Sequence, residues 1–433
     1  MGASLTLAVL RFAVFILWLL AFPMNGFLLE KAVTGHDFLF FIIPHAAALF
    51  ISRYLVASRL FPLIANTAIG ITIAGTALFP VAENKPLLLS VLGVAAAGLL
   101  IKTVGGLQQA VNPPLAGAMG LAGGNLALLA FIKLPLAPST IFVLLAVLLL
   151  VPLFSPTPRC GETEKSPIFW YLPFLFAYNM VSGLMYGALM PEYGHQAYIG
   201  GIELLFYAGM AAAGVCLVHK GKDLLLVLGI LGGMLSFSIF LLKGVLSINL
   251  SMFAFQGSAG FVDIFILVLL FSRTDCLKVV GTVFGTVCAG IVGGYSVSCA
   301  TGGATSTIVG AANLFLTLSV IIFIFYVRKW GAVTEKQPAT PERALPPSSC
   351  INLTPTLKKR LSVQEQAVLN SVLRKKTFRE TAEDLSLSES SVKTYMKRIY
   401  EKAGVTSKEE LFTVLAIDGD SAGGKENFEI VLK

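Results

Sequence analysis

Ser155–Pro167 reads SPTPRCGETEKSP and is the longest polar interruption in the first 330 residues. On either side of it the chain is almost continuously apolar. A membrane-spanning helix needs about 20 apolar residues. Six stretches of that kind precede the interruption, at 5–23, 38–57, 62–82, 86–104, 113–132 and 135–154. Six follow it, at 168–190, 197–218, 224–246, 250–271, 277–299 and 304–327. The gaps between stretches are short and carry Pro, Gly or charge. The expected fold is therefore all-α: a twelve-helix transmembrane bundle in a 6+6 layout, followed by a smaller unit.

Composition agrees with this reading. Of 433 residues, 56% are apolar and 13% charged, with a mean hydropathy of +0.80. Soluble chains carry about a quarter charged residues, so an ordinary soluble enzyme and a disordered chain are both excluded. The net charge of +8 is unevenly built: residues 1–330 hold 16 Lys+Arg and 10 Asp+Glu, and residues 331–433 hold 16 and 14. Half of the basic and more than half of the acidic residues thus lie in the last quarter, which reads as water-soluble. The six cysteines lack CxxC or paired spacing, and no disulfide framework or metal site is expected. The first apolar stretch reads as a span rather than a secretory leader, having no Lys or Arg before Arg11 and no small-residue cleavage pattern.

Basic residues orient the bundle. With the N-terminus inside, the inner loops and ends hold eleven: Arg53, Arg59, Lys102, Arg159, Lys165, Lys220, Lys222, Arg273, Lys278, Arg328 and Lys329. The outer ones hold four: Lys31, Lys85, Lys133 and Lys243. The expectation is a multi-pass plasma-membrane protein with both termini cytoplasmic. Polar residues inside spans are Arg11, His45, Asn125, Asn179, Glu203, Gln256, Asp263 and Asn313. A carboxylate at the bilayer centre costs about 2.5–3.5 kcal/mol, so Glu203 and Asp263 need a cavity, a partner or a bound cation. Glu203, Asp263 and Asn179 are the candidate ligand-sensing residues for an unknown small-molecule signal; a structural polar pair is the competing reading, and His45 reads as structural. The glycines of Gly117–Gly124 and Gly281–Gly303 read as close helix packing.

The 6+6 layout resembles major-facilitator transporters over about residues 1–330, at the level of architecture. That family's loop between spans two and three carries a G-x-x-x-D-R-x-G-R-like pattern. Here the stretch is Ser52-Arg53-Tyr54-Leu55-Val56-Ala57-Ser58-Arg59, with both arginines but without the glycines and the aspartate. The departure favours a sensor bundle over an active transporter. The alternative is a transporter with a fused regulatory DNA-binding tail.

Residues 331–356 carry Pro338, Pro341, Pro346, Pro347 and Pro355 among Ser and Thr, the composition of a linker. Beyond it, local signals predict four helices in a unit spanning 357–420, with 421–433 as a tail. Ser362–Glu365, Thr377–Glu380 and Ser407–Glu410 are capping boxes, and Ser388 is a simple N-cap. Val368, Leu369, Val372 and Leu373 mark an apolar face on the first helix; Phe378, Thr381, Ala382 and Leu385 on the second; Val392, Met396, Ile399 and Ala403 on the third; Leu411, Val414 and Leu415 on the fourth. The second helix, its turn and the third helix have helix-turn-helix layout.

The opposite face of the third helix holds Ser391, Lys393, Thr394, Lys397, Arg398 and Lys402. Lys393 and Lys397 are one turn apart and project together, which suits a helix in the major groove. Tyr395 and the nearby hydroxyls suit phosphate contacts. A solvated face in a small adaptor bundle is the plainer reading of the same charges. The carrying residues Leu361-Ser362, Glu365, Val368-Leu369, Glu380–Leu385, Leu387-Ser388-Glu389, Val392–Tyr395, Ile399–Val405 and Lys408 closely resemble the LuxR-type (GerE-like) helix-turn-helix. That resemblance implies double-stranded promoter DNA as partner, base reading at Lys393, Thr394 and Lys397, a phosphate contact at Tyr395, and a homodimer through the last helix. Val363, Lys375 and Thr381 depart from the usual Pro, Gly and Ile of that family. The whole resembles bacterial membrane-bound LuxR-type regulators: a one-component transcriptional regulator, not an enzyme, with no catalytic residues, cofactor or metal expected.

Overall fold

The computed structural model describes residues 2–24, 26–32, 37–154, 168, 171–219, 221–273, 275–302, 304–336, 361–373, 377–385, 387–403, 405 and 411. All regular structure among them is helical. The chain divides into two compact units, Met1–Lys336 and Gln337–Lys433.

The first unit contains the twelve expected helices: α1 Gly2–Ala21, α2 Phe38–Leu55, α3 Phe61–Leu78, α4 Lys85–Gln108, α5 Pro113–Lys133 and α6 Pro138–Leu148, then α7 from Leu172–Leu184, α8 Glu203–Val218, α9 Lys222–Phe240, α10 Val245–Phe271, α11 Cys276–Ala300 and α12 Thr305–Lys336. Nine are long and apolar enough to cross a membrane among the described residues, and the shorter apolar helices are Leu5–Ala21, Pro138–Leu153 and Glu203–Val218. The starts follow local chemistry. Pro occupies the first helical turn of α3, α4, α5, α6 and α7, where its missing N–H costs nothing. Asn84 and Asn112 cap α4 and α5, accepting from the amides of Leu87 and Leu115. Large apolar side chains such as Leu63, Leu235, Leu314 and Phe325 stay exposed on the bundle surface. So much bare hydrocarbon suits lipid contact, and this is a multi-pass membrane protein.

Packing within each half is aromatic and glycine-mediated. Phe22, just past α1, packs edge to face on both Phe79, just past α3, and Phe142 of α6. Trp18 of α1 donates to Thr76 of α3 at 2.9 Å. Between α7 and α11 the backbones nearly touch: a Cβ at Gly294 would meet the Met180 carbonyl, and one at Gly183 the Ile291 carbonyl. These close approaches are what small residues permit in lipid. The two halves meet through α2 against α11 and α5 against α8.

Three local features depart from the sequence reading. Helix α7 changes to a π turn at Met185–Leu189 before continuing as Met190–Gln196. Lys102, counted among the basic residues of the inner loops and ends, is 1% exposed near the end of α4, with Nζ donating to Asn66 Oδ1 at 2.6 Å and the Leu153 carbonyl at 2.9 Å. Helix α12 runs to Lys336, so residues 331–336, expected to begin the linker, are helical. Residues 337–356 of that expected linker and the tail 421–433 lie outside the described residues.

The second unit holds α13 Val363–Leu373, α14 Phe378–Asp384 and α15 Glu389–Ala403. Leu361, Val368, Leu369, Val372, Ala382, Val392, Met396, Ile399 and Leu411 form one apolar core. The capping box at Thr377 and Glu380 is complete. Ser362 and Glu365 exchange hydrogen bonds of 2.7 and 3.3 Å. Of the expected fourth helix only Leu411 is described; the Ser407–Glu410 box, Val414, Leu415 and their dimer role lie outside the described residues.

Candidate ligand cavity and nucleic-acid interface

A cavity of about 450 Å³ lies between the two halves of the bundle. Its walls come from α1, α2, α4 and α5 on one side and α7, α8, α10 and α11 on the other, leaving α3, α6, α9 and α12 outside. It reaches the ends of helices near Met24, Gly26, Ala197 and Gly201. Those lie on the face opposite the N-terminus of α1 and the C-terminus of α12, because an even number of spans separates the two ends.

All three sequence-nominated sensing residues line this cavity, as do His45, Asn125 and Gln256; Arg11 and Asn313 do not. Gly201, with φ 93°, lets the chain turn sharply into α8. That turn places Glu203 in the first turn of the helix, at the cavity end rather than at mid-depth. Tyr193 donates to Glu203 Oε2 at 2.6 Å. One helical turn on, Tyr207 donates to Asp263 Oδ2 of α10. Tyr178 and Ser258 share a hydrogen bond of 2.6 Å, and Ser258 donates on to the Gly229 carbonyl. Asn179 spends its amide on the Leu175 carbonyl at 2.8 Å, and Asn125 on Leu121 at 2.9 Å. The His45 ring is within 2.9 Å of the Gly93 carbonyl and stacks on Phe41, which agrees with its structural reading. The tyrosines were missed from sequence. The i,i+4 relation of Glu203 and Tyr207 was the one visible signal.

On α15 the side chains of Lys393, Thr394, Lys397 and Arg398 are exposed, and Ser391 and Tyr395 are half-buried. Val392, Met396 and Ile399 point the other way into the core, which fixes the polar face outward. Ser388 Oγ accepts from the Ser391 amide at 3.0 Å, capping the helix as expected. Thr394 donates to the Ser390 carbonyl at 2.9 Å. Lys393 pairs with Glu389 at 2.8 Å, and this holds the Glu389 carboxyl below its ordinary range. Lys402 departs from the expectation of a free face. Its Nζ meets both oxygens of the buried Glu365 at 2.9 and 2.7 Å, tying α15 to α13. Tyr395 also packs partly against the core.

Among the described residues no group of three or more His, Cys, Asp or Glu could hold a metal ion.

Residues 359–415 match the GerE family, bacterial regulatory proteins of the luxR family, and form a LuxR-type helix-turn-helix domain. No curated protein matches the chain. The bundle is similar to solved transporter structures. One is the major facilitator superfamily transporter FucP in the outward conformation, at 13% identity, covering 74% of this chain and 98% of that one with a TM-score of 0.52. Another is the human organic anion transporter MFSD10 (TETRAN), at 14% identity, 75% and 98% coverage and a TM-score of 0.55. A third is a bacterial homologue of the iron transporter ferroportin, outward-facing with soaked iron, at 16% identity, 75% and 98% coverage and a TM-score of 0.55. At these identities the likeness is one of fold, and the fold is that of the major facilitator bundle.

Proposed function

We propose that this protein is a membrane-anchored, one-component transcriptional regulator. Its bundle binds a small-molecule signal in the cavity between the halves, and the cytosolic helix-turn-helix binds promoter DNA. The observation that carries this reading is the pairing on one chain of a LuxR-type domain with a bundle in which six of the eight in-span polar residues named from sequence line a single cavity. With both termini cytoplasmic, that cavity reaches the outer face, so the signal is read from outside and reported inside. Ligand control requires that one bundle state bind the signal better, since equal affinity shifts nothing. Promoter DNA meets the exposed face of α15, with Lys393, Thr394 and Lys397 toward bases and Tyr395, Ser391 and Arg398 toward the backbone. A homodimer through the fourth helix would supply the affinity that a mildly basic unit lacks alone.

The test is to map the genomic sites of the full-length protein in its own membrane. Discrete promoter sites whose occupancy changes with growth condition support the reading; uniform, sequence-independent recovery overturns it. The transporter fold favours a second reading, a carrier with a regulatory tail. Net solute flux in proteoliposomes would establish it.

A further inference from the structure

We infer that the cavity is built for an organic cation: an ammonium-type ligand with an apolar or aromatic body. This rests on the cavity being the ligand site proposed above and adds the class of ligand. Two carboxylates, Glu203 and Asp263, line the cavity, and among the described lining residues there is no Lys or Arg. Neither carboxylate has an ion-pair partner among the described residues. Each takes one hydrogen bond there, from Tyr193 or Tyr207, on one oxygen. A hydroxyl donor offsets part of the desolvation of a carboxylate but supplies no positive charge. The local field is therefore negative, and an anion entering it would be repelled.

The rest of the lining says which kind of cation fits. Tyr178, Tyr186, Tyr207, Phe255 and Phe284 give aromatic walls, and ring faces attract cations. The remaining walls are mostly Leu, Ile, Met and Gly. A volume of about 450 Å³ is that of a site for a small organic molecule. A transition-metal site would gather three or more His, Cys, Asp or Glu, and no such group is present among the described residues. Glu203 and Tyr207 sit one turn apart on α8, and Tyr207 reaches Asp263 on α10. Glu203 on α8 and Asp263 on α10, the latter bonded to α8 through Tyr207, thus both belong to one wall, where a cation is attracted to each.

The experiment uses the purified full-length protein in nanodiscs of zwitterionic lipid. The probes are tetraphenylphosphonium and tetraphenylborate, which share a shape and differ in the sign of charge. A smaller pair is benzyltrimethylammonium and benzoate. Expected is saturable binding of a cation, no competition by its anionic counterpart, and loss of affinity of about tenfold in Asp263→Asn. Glu203→Gln should weaken binding in the same direction. Glu83→Gln, at an exposed loop carboxylate, should bind like the parent. Asp263→Glu restores the charge and guards against a variant that simply misfolds. Saturable binding of neither cation, equal binding of both signs of charge, or full affinity in both carboxylate variants overturns the inference. Cation-selective binding without any change in DNA occupancy would leave this inference standing and remove the sensor reading instead. A signal-driven change in occupancy that the bound cations neither cause nor block would do the reverse.

Discussion

Two lysines one turn apart on α15 carry separable predictions. If Lys393 reads a base, Lys393→Ala costs about 1–3 kcal/mol and relaxes preference at one operator position. Its exposed pair with Glu389 does not oppose this strongly, because such surface pairs are weak and exchange readily. If Lys397 contacts phosphate, Lys397→Ala weakens all sequences alike and lowers the salt slope by about one. Titrations of the full-length protein against operator and scrambled DNA at several salt concentrations separate the two; an unchanged double variant removes α15 as the reading element. Lys402 belongs to a different class. Its ion pair with buried Glu365, together with the Ser362 amide, holds the Glu365 carboxyl below the ordinary carboxylate range. A depressed carboxyl contributes stability that is present above its unfolded value, about 4.3, and is lost as pH falls through its folded value. Acidification below about pH 4 should therefore destabilise the parent more than Glu365→Gln, which lacks that dependence. Hydrogen exchange of α13 and α15 across pH measures it, and identical acid profiles would dismiss the pair. From sequence Glu365 was legible as a capping residue and Lys402 as a charge on the outer face. Their meeting across 37 residues was not, because it depends on how α13 and α15 pack.

Elements were more legible than contacts. The start of α15 was fixed by Ser388, and its buried side by Val392, Met396 and Ile399, because caps and a 3.6-residue period are local properties. The twelve apolar helices were legible for the same reason: each satisfies its own backbone in lipid, so length and hydropathy nearly suffice. The π turn in α7 and the burial of Lys102 were not, since neither leaves a periodic trace. The contact of α7 with α11 gives a prediction at this scale. A Cβ at Gly294 would run into the Met180 carbonyl, so Gly294→Val must push apart two helices that both line the cavity. Overpacking of this kind costs about 1–3 kcal/mol. The variant should unfold at lower temperature in nanodiscs and lose cation binding, whereas Gly310→Val, at a position with open space, should do neither. Parental stability in Gly294→Val would mean that the helices do not approach so closely.

For the whole molecule, the even number of spans puts both ends of the bundle on one side, and the bias of basic residues makes the cytosol the expected side. Burial of Lys102 removes one of the eleven inner charges but leaves ten against four. Reporter fusions after residue 160 and at the C-terminus should both read as cytosolic, and a C-terminal reporter active only outside would overturn the topology and the regulator reading together. The candidate cavity was legible as a set of expensive polar residues, six of which proved to share one space; its tyrosine hydroxyls were hidden among ordinary apolar aromatics. The length of α12 has a mechanical consequence. Thirty-two helical residues extend about 48 Å, against a hydrocarbon layer of about 30 Å. A rod that outreaches the bilayer is a lever arm: a tilt of about 5° within the bundle swings its far end by about 4 Å. Rocking too slight to matter among packed side chains thus becomes, at Lys336, a displacement on the scale of a whole side chain.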